Sequence, residues 1–230
     1  MNKQSGFLLS YLKYGDNDAV LHCYTKEAGY QSFFVRGIYS AKNKKKAYLI
    51  PLNELSLSLS AHHTNAKLPM VQKIEAGENS DFYLDIKQSS VIFFVSDFLN
   101  QTLKNEHANT SLYSEIEEFK NHLYKGNLHS HFIFLIRMLN VFGIAPLTSE
   151  EGKFLNIERG FFQDEASFDL LDAEISEIWK HILNNHYEED FRIDKQYRKK
   201  LLDSILLYYK IHFPEFYTPK SLQVITQLFE

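Results

Sequence analysis

The chain has 230 residues with 44% hydrophobic and 23% charged side chains, which excludes wholesale disorder and fits one domain or two. A single cysteine, Cys23, excludes a disulfide scaffold and any all-cysteine zinc site. The net charge of −4 hides an asymmetry, since residues 1–80 sum to +4 and residues 81–230 to −8, so a basic module precedes an acidic one.

Residues 1–77 read as strands. Residues 6–14 (GFLLSYLKY) are rich in aromatic and aliphatic side chains, and Gly15-Asp16-Asn17-Asp18 supplies a turn. Residues 19–26 follow, then a tight turn at Ala28-Gly29 and a third strand over 30–39, in which Gly37 predicts a bulge or bend. A polar loop over 41–46 leads to a fourth strand, where Leu55, Leu57 and Leu59 alternate with Ser56, Ser58 and Ser60, the serines facing outward. Residues 67–76 are the fifth. Five short strands with no intervening helix predict a small closed barrel of the OB-fold type over residues 1–78.

The pattern then changes. Residues 80–105 form a long apolar run free of glycine and proline, and 110–124 carry acids early and Lys120 late, as the helix dipole favours. Residues 127–142 are apolar nearly all round and stop at Gly143 with Pro146 beyond, the mark of a buried helix. Further helices are predicted over 168–185 and 194–212, the latter with Asp194 as N-cap, and a short last one after Pro219-Lys220-Ser221. Residues 79–230 thus read as an all-helical domain, with an irregular insert at about 147–163. The fold class expected is α+β with two domains. The longest apolar run outside the N-terminus, 132–141, is interrupted by Arg137 and is far short of the ~20 residues of a membrane span. With no export signal and no cysteine pair, the expected compartment is the cytoplasm.

The clearest local feature is AKNKKKA, where Lys42, Lys44, Lys45 and Lys46 sit in the predicted loop. Clustered lysines neutralise phosphates and release counterions, which gives salt-dependent binding without sequence preference. Alone, such a run is more often a solvated loop tip, but Arg36, Lys13 and Lys26 lie in neighbouring strands and could extend it. Tyr11, Tyr14, Tyr24, Tyr30, Phe33, Phe34, Tyr39 and Tyr48 interleave with these charges, and small barrels that bind single strands pair a basic groove with stacking aromatics. Most of these rings must fill the core. Phe33 and Phe34 point to opposite faces, so at least one is core. A second basic spot, Arg198-Lys199-Lys200, opens the last long helix.

The ten histidines match no zinc spacing: His62-His63 are adjacent, His129 and His131 diverge on a helix, and His181 and His186 are five apart. The carboxylates Glu188, Glu189 and Asp190 form an acidic run of the kind that links helices. No nucleophile elbow, phosphate-binding glycine loop or HExxH is present. Nothing argues for catalysis.

The ordered series of parts resembles the RecO family of bacterial recombination mediators. Its opening pattern is matched by Tyr14-Gly15, the acidic turn at Asp16 and Asp18, Thr25-Lys26-Glu27, Gly29 and Arg36-Gly37, followed by the basic loop Lys42 to Lys46. In the helical part Gly143-Ile144-Ala145-Pro146 matches the family's Gly-x-x-Pro. The resemblance covers most of the chain and is dense over 6–50 and 128–146. It implies a protein without cofactor that binds single- and double-stranded DNA, anneals strands and, with RecR, loads RecA onto DNA coated by single-strand binding protein, whose acidic C-terminal tail it contacts. The implied DNA contacts fall on Arg36, Lys42, Lys44, Lys45 and Lys46, with Lys13 and Lys26 beside them. For the tail, charge alone points to Arg198, Lys199 and Lys200. The implied location is cytoplasmic, at the nucleoid.

One departure matters. Many family members carry two CxxC pairs after that proline, whereas this chain reads LTSEEGKFLNIERGFF over 147–162 without a cysteine. Zinc is therefore not expected, and the insert should hold its shape by packing Phe154, Leu155, Ile157, Phe161 and Phe162. Two other readings stand beside the mediator. In one, the barrel is a scaffold and the acidic helical part is a protein-binding adaptor. In the other, a hydrolase site assembles from His129, His131 and Glu188 or Glu189.

Overall fold

The computed structural model describes residues 2–60, 68–77, 85–148, 152–185, 187 and 191–227. Five strands, β1 (Asn2–Tyr14), β2 (Asp18–Thr25), β3 (Gly29–Val35), β4 (Glu54–Leu59) and β5 (Met70–Ala76), close into a barrel in the order β1-β2-β3-β5-β4. The helices are α1 (Ile86–Thr102), α2 (Thr110–Tyr124), α3 (Ser130–Val141), α4 (Ala173–Asn184), α5 (Lys195–His212) and α6 (Leu222–Thr226). The expected barrel followed by a helical region is what the chain forms. It divides into two compact units, Met1–Tyr113 and Ser114–Glu230.

The barrel is built on β1, which is longer than the apolar run suggests. It starts at Asn2 rather than Gly6, because its polar first half pairs with β4 from Asn2↔Leu59 to Phe7↔Glu54, while its second half pairs with β2 out to Tyr14↔Asp18. A register shift between Leu8 and Ser10 lets consecutive leucines, Leu8 and Leu9, both be buried. Leu8 joins the barrel core, and the Leu9 carbonyl accepts a 2.5 Å hydrogen bond from the Ser96 hydroxyl of α1. Leu21, Cys23, Phe33, Leu55, Leu57 and Ile74 fill the core from the other strands. Burial in that core pushes the Cys23 thiol pKa up.

Several local expectations are corrected. β3 stops at Val35, so Gly37 is not a bulge within a strand but a turn residue at φ +67. The serines expected to face outward do not form an open face: Ser58 of β4 and Ser60 just after it are buried. β5 begins at Met70, and Lys67 and the paired His62-His63 lie outside the described residues. Tyr24, expected among possible surface rings, is fully buried: its hydroxyl donates to the His107 carbonyl at 2.9 Å and accepts from the Asn109 N–H at 3.0 Å. These bonds tie the loop after α1 to the β2–β3 turn, where Gly29 at φ +73 leaves no room for a Cβ against Glu106 and His107.

In the second unit α3 is buried all round except near Arg137, as its sequence predicts, though it starts at Ser130 and not Asn127. Asn127 instead accepts the His129 N–H at 3.0 Å in a turn before the helix. The helix predicted over 168–185 is broken into a 3₁₀ turn, Asp169–Leu171, and α4, because the Asp172 side chain caps α4 by accepting from Ile175 N–H at 2.9 Å. Asp194 does hold the N-cap position of α5, but its side chain makes no capping bond. The insert at 147–163 is not irregular throughout. It contains a hairpin, β6 (Phe154–Asn156) and β7 (Phe161–Gln163), with Leu155, Ile157 and Phe162 buried and Phe154 and Phe161 half-buried. The Leu155 N–H donates to the buried Ser176 hydroxyl of α4 at 3.1 Å, so packing onto that helix holds the segment without cysteines.

Candidate nucleic-acid interface

The lysine run is not a free loop. Asn43 accepts the Lys45 N–H at 2.9 Å and caps a 3₁₀ helix over Lys44–Tyr48. The segment before it is knotted by the Gly37 carbonyl, which accepts from the Ser40 hydroxyl at 2.9 Å and the Asn43 amide at 3.0 Å. The Gly37 N–H donates in turn to the Asp18 carboxylate at 2.7 Å, and the Tyr39 N–H to the Asn17 carbonyl at 2.8 Å. Ile38 and Leu49 on either side are buried in the barrel core. The lysines are therefore carried on a braced segment at one end of the barrel.

A 3₁₀ helix turns three residues per turn, so Lys44, Lys45 and Lys46 leave its axis in three directions. Lys46 places its ammonium 5.7 Å from the centre of the Tyr39 ring. Lys13, from the far end of β1, places its own 5.9 Å from the same ring. Lys45 is half-buried, unlike Lys44 and Lys46, and its charge is felt at Glu75 of β5. The Glu75 carboxyl there sits below its ordinary pKa because Lys73 hydrogen-bonds it at 2.8 Å, with the charges of Lys73, Lys3 and Lys45 adding to the effect. Lys42 and Lys44 are exposed.

The structure thus brings Lys13 and Lys46 together and separates two other expected members. Arg36 is exposed in the turn after β3 and lines a shallow depression of about 420 Å³ together with Asp16, Asn17 and Asp18. Lys26 follows the other end of β2, since Thr25 pairs with Gly6 whereas Ala19 pairs with Lys13. Its ammonium lies 5.6 Å from the ring of Tyr113.

The aromatics sort themselves by face. Phe33 is core, while Phe34 is half-buried and meets Tyr14 edge-on at 5.8 Å on the outside of the barrel. Tyr11 shares the Lys13 face of β1, is 39% exposed and lies near Tyr39, which like Tyr48 is half-buried against the core. A basic and aromatic patch results, of Lys13, Lys46, Tyr11 and Tyr39. Alternation alone could not select those two tyrosines, because the bulge in β1 and the turn at Gly37 reset which side each residue faces.

At the second basic spot, Arg198 donates through Nε to the Ile193 carbonyl at 2.9 Å and Lys200 pairs with Asp172. Lys199 is exposed beside Asp203 and Asp169 in a depression of about 410 Å³, so the local charge is mixed. The two histidines considered for catalysis do not form a site together. His129 accepts the Ile193 N–H at 3.0 Å, and His131 is buried with Nδ1 2.7 Å from the Leu128 carbonyl. Burial, then the charges of Arg198 and Arg192, lowers the His129 pKa to about 4. Burial lowers that of His131 to about 3 against the opposing pull of its hydrogen bond to Leu128. Glu188, Glu189, Asp190 and His186 lie outside the described residues. Among the described residues no group of side chains could hold a metal ion, and no helix is long and apolar enough to cross a membrane.

Comparison with known families gives two matches, Recombination protein O N terminal over residues 1–79 and Recombination protein O C terminal over residues 83–222. Among curated proteins, the DNA repair protein RecO of Flavobacterium psychrophilum is 24% identical over 237 residues, covering 99% of this chain and 98% of the relative. That of Phocaeicola vulgatus is 27% identical over 247 residues, covering 100% and 99%. That of Christiangramia forsetii is 24% identical over 231 residues, covering 96% of each.

Proposed function

The chain belongs to the RecO family of DNA repair proteins, and from that premise we propose that it is a non-catalytic recombination mediator that binds single- and double-stranded DNA through the lysine-bearing end of its barrel. In this reading it anneals complementary strands and, with RecR, loads RecA onto DNA coated by single-strand binding protein. Residues 1–78 are the nucleic-acid module, and residues 79–230 serve protein partners. The acidic tail of single-strand binding protein meets the start of α5, where Lys199 is the exposed cation among Arg198, Lys199 and Lys200.

One observation carries the DNA contact: two ammoniums from separate segments, Lys13 and Lys46, converge on one ring beside the exposed Tyr11. That is the pairing of charge for phosphates with aromatic surface for bases that single-strand binders use. The braced geometry of the lysine segment supports it, since a pre-ordered site loses less freedom on binding. Lys42 and Lys44 extend the positive surface, and Lys45, Arg36 and Lys26 contribute at longer range.

The test is fluorescence anisotropy of a labelled single-stranded oligonucleotide at 50 and 200 mM salt. Each lysine that neutralises a phosphate contributes about 0.7 to the log–log salt slope on single strands, so Lys13→Ala/Lys46→Ala should lower the slope by about 1.4. Between those two salt concentrations the variant should lose about 7-fold less affinity than the wild type does. Equal slopes for both proteins would reject this end of the barrel as the DNA site. Absence of wild-type binding at low salt would reject the DNA reading altogether.

A further inference from the structure

We propose that Tyr39 is a positioning residue of this interface: its ring fixes the Lys13 and Lys46 ammoniums at a set spacing, ready to meet two backbone phosphates. The inference rests on the proposed DNA contact and adds to it the group that orders the two cations.

The two lysines have no reason of their own to stay together. They belong to β1 and to the 3₁₀ helix, carry like charges, and sit on long flexible side chains. Lysine loses much rotamer freedom when it is held in one geometry, and like charges at close range repel. The Tyr39 ring answers both costs. An aromatic face is negative and attracts a cation within about 6 Å of its centre, and both ammoniums meet that limit, at 5.9 and 5.7 Å. Neither nitrogen can then lie farther from the other than the sum of those distances. The ring itself is held, because the Tyr39 N–H donates to the Asn17 carbonyl and its side chain packs half-buried against the barrel core. A ring already serving two ammoniums is an anchor for them, which leaves the more exposed Tyr11 as the neighbouring surface for a base.

Positioning makes a signature that base stacking does not. Phenylalanine keeps the aromatic face and leucine removes it. Tyr39→Phe should bind a single-stranded oligonucleotide within 2-fold of wild type. Tyr39→Leu should bind about 5-fold more weakly at every salt concentration, the cost of ordering on binding two lysine side chains that the ring no longer holds in advance. Its log–log salt slope should not change, because both lysines still release counterions. In the Lys13→Ala/Lys46→Ala background, Tyr39→Leu should cost nothing further, since its partners are gone.

A full 5-fold loss in that background would show that Tyr39 acts on the DNA directly, and would overturn the proposal. So would wild-type affinity for Tyr39→Leu in the otherwise intact protein. If Lys13→Ala/Lys46→Ala itself bound like wild type with an unchanged slope, the DNA site would be elsewhere and both readings would fall together. A measurement without DNA guards against a folding defect. In the wild-type protein the Hε proton resonances of Lys13 and Lys46 should be shifted upfield by the ring current and should move to random-coil positions in Tyr39→Leu. Random-coil positions for both lysines in the wild type would overturn the proposal.

Discussion

Replacing Arg137 by methionine should cost the protein about 3 kcal/mol. Arg137 of α3 and Glu115 of α2 form a bidentate pair whose side chains are 16% and 12% exposed. Nε donates to the two carboxylate oxygens at 3.1 and 3.0 Å, and Nη2 adds a further short bond to Glu115. The guanidinium also lies 5.6 Å from the Tyr187 ring. Methionine fills most of the volume but leaves the Glu115 carboxylate buried and uncompensated, with the charge of Glu118 close by. Breaking one side of a buried pair costs about 3–5 kcal/mol, and partial exposure argues for the lower figure. For a chain of 150–250 residues each kcal/mol lowers Tm by about 2–4 °C, so the expected drop is about 6–12 °C. The companion variant Arg137→Met/Glu115→Leu removes the stranded charge and should recover most of the loss. Thermal unfolding followed by circular dichroism, with urea titration for the free energy, would measure both. A single variant within 1 kcal/mol of wild type, or a double variant no better than the single, would refute the reasoning.

Two further outcomes follow from the geometry. The three directions of the 3₁₀ helix mean that its lysines are unequal: Lys46→Ala should lower the single-strand salt slope by about 0.7, whereas Lys45→Ala, whose side chain is half-buried, should lower it by less than half of that. Equal losses for the two would show that the run acts as an unstructured cloud of charge. The buried His131 and the half-buried His129 set an acid limit. The folded pKa of His129, about 4, and of His131, about 3, lie below the unfolded value of about 6.5, so their contribution to stability is complete above that value and is lost as pH falls from about 6.5 toward 3. Urea unfolding at pH 7.5, 6, 5 and 4 should show that decline, and His131→Leu, though less stable at neutral pH, should show a shallower one. A profile as steep in the variant would assign the acid sensitivity to other groups.

The barrel was legible because its turns are written in strong local chemistry. Gly15-Asp16-Asn17-Asp18, Ala28-Gly29 and the leucine alternation of β4 each act within a few residues. What escaped depends on partners distant in the chain. Asn2 to Ser5 look polar and unstructured alone, and become strand only because β4 lies alongside. The lysine run reads as a loop until Asn43 is seen to cap it, and an Asn two residues before a helical N–H is a signal the sequence did contain. Asp172 similarly divides a helix that periodicity runs together. At the interface the lysines were visible as a cluster, but their separation was not. Tyr39 as the common neighbour of Lys13 and Lys46 needs the β1–β2 turn, the Gly37 turn and the 3₁₀ helix to be placed in space at once.

The position of Cys23 gives the barrel an internal clock. It is the one cysteine of the chain, sits fully buried among the core leucines of β1 and β4, and has its thiolate suppressed by that burial. A maleimide or disulfide reagent in solution reaches it only when strands part, so the alkylation rate of the native protein reads out the opening of the barrel rather than the reactivity of a surface thiol. A ligand that binds the closed barrel in preference to the open one slows that rate. The protein thus carries a native reporter thiol at which mutation, salt and binding partner can be compared on one kinetic scale.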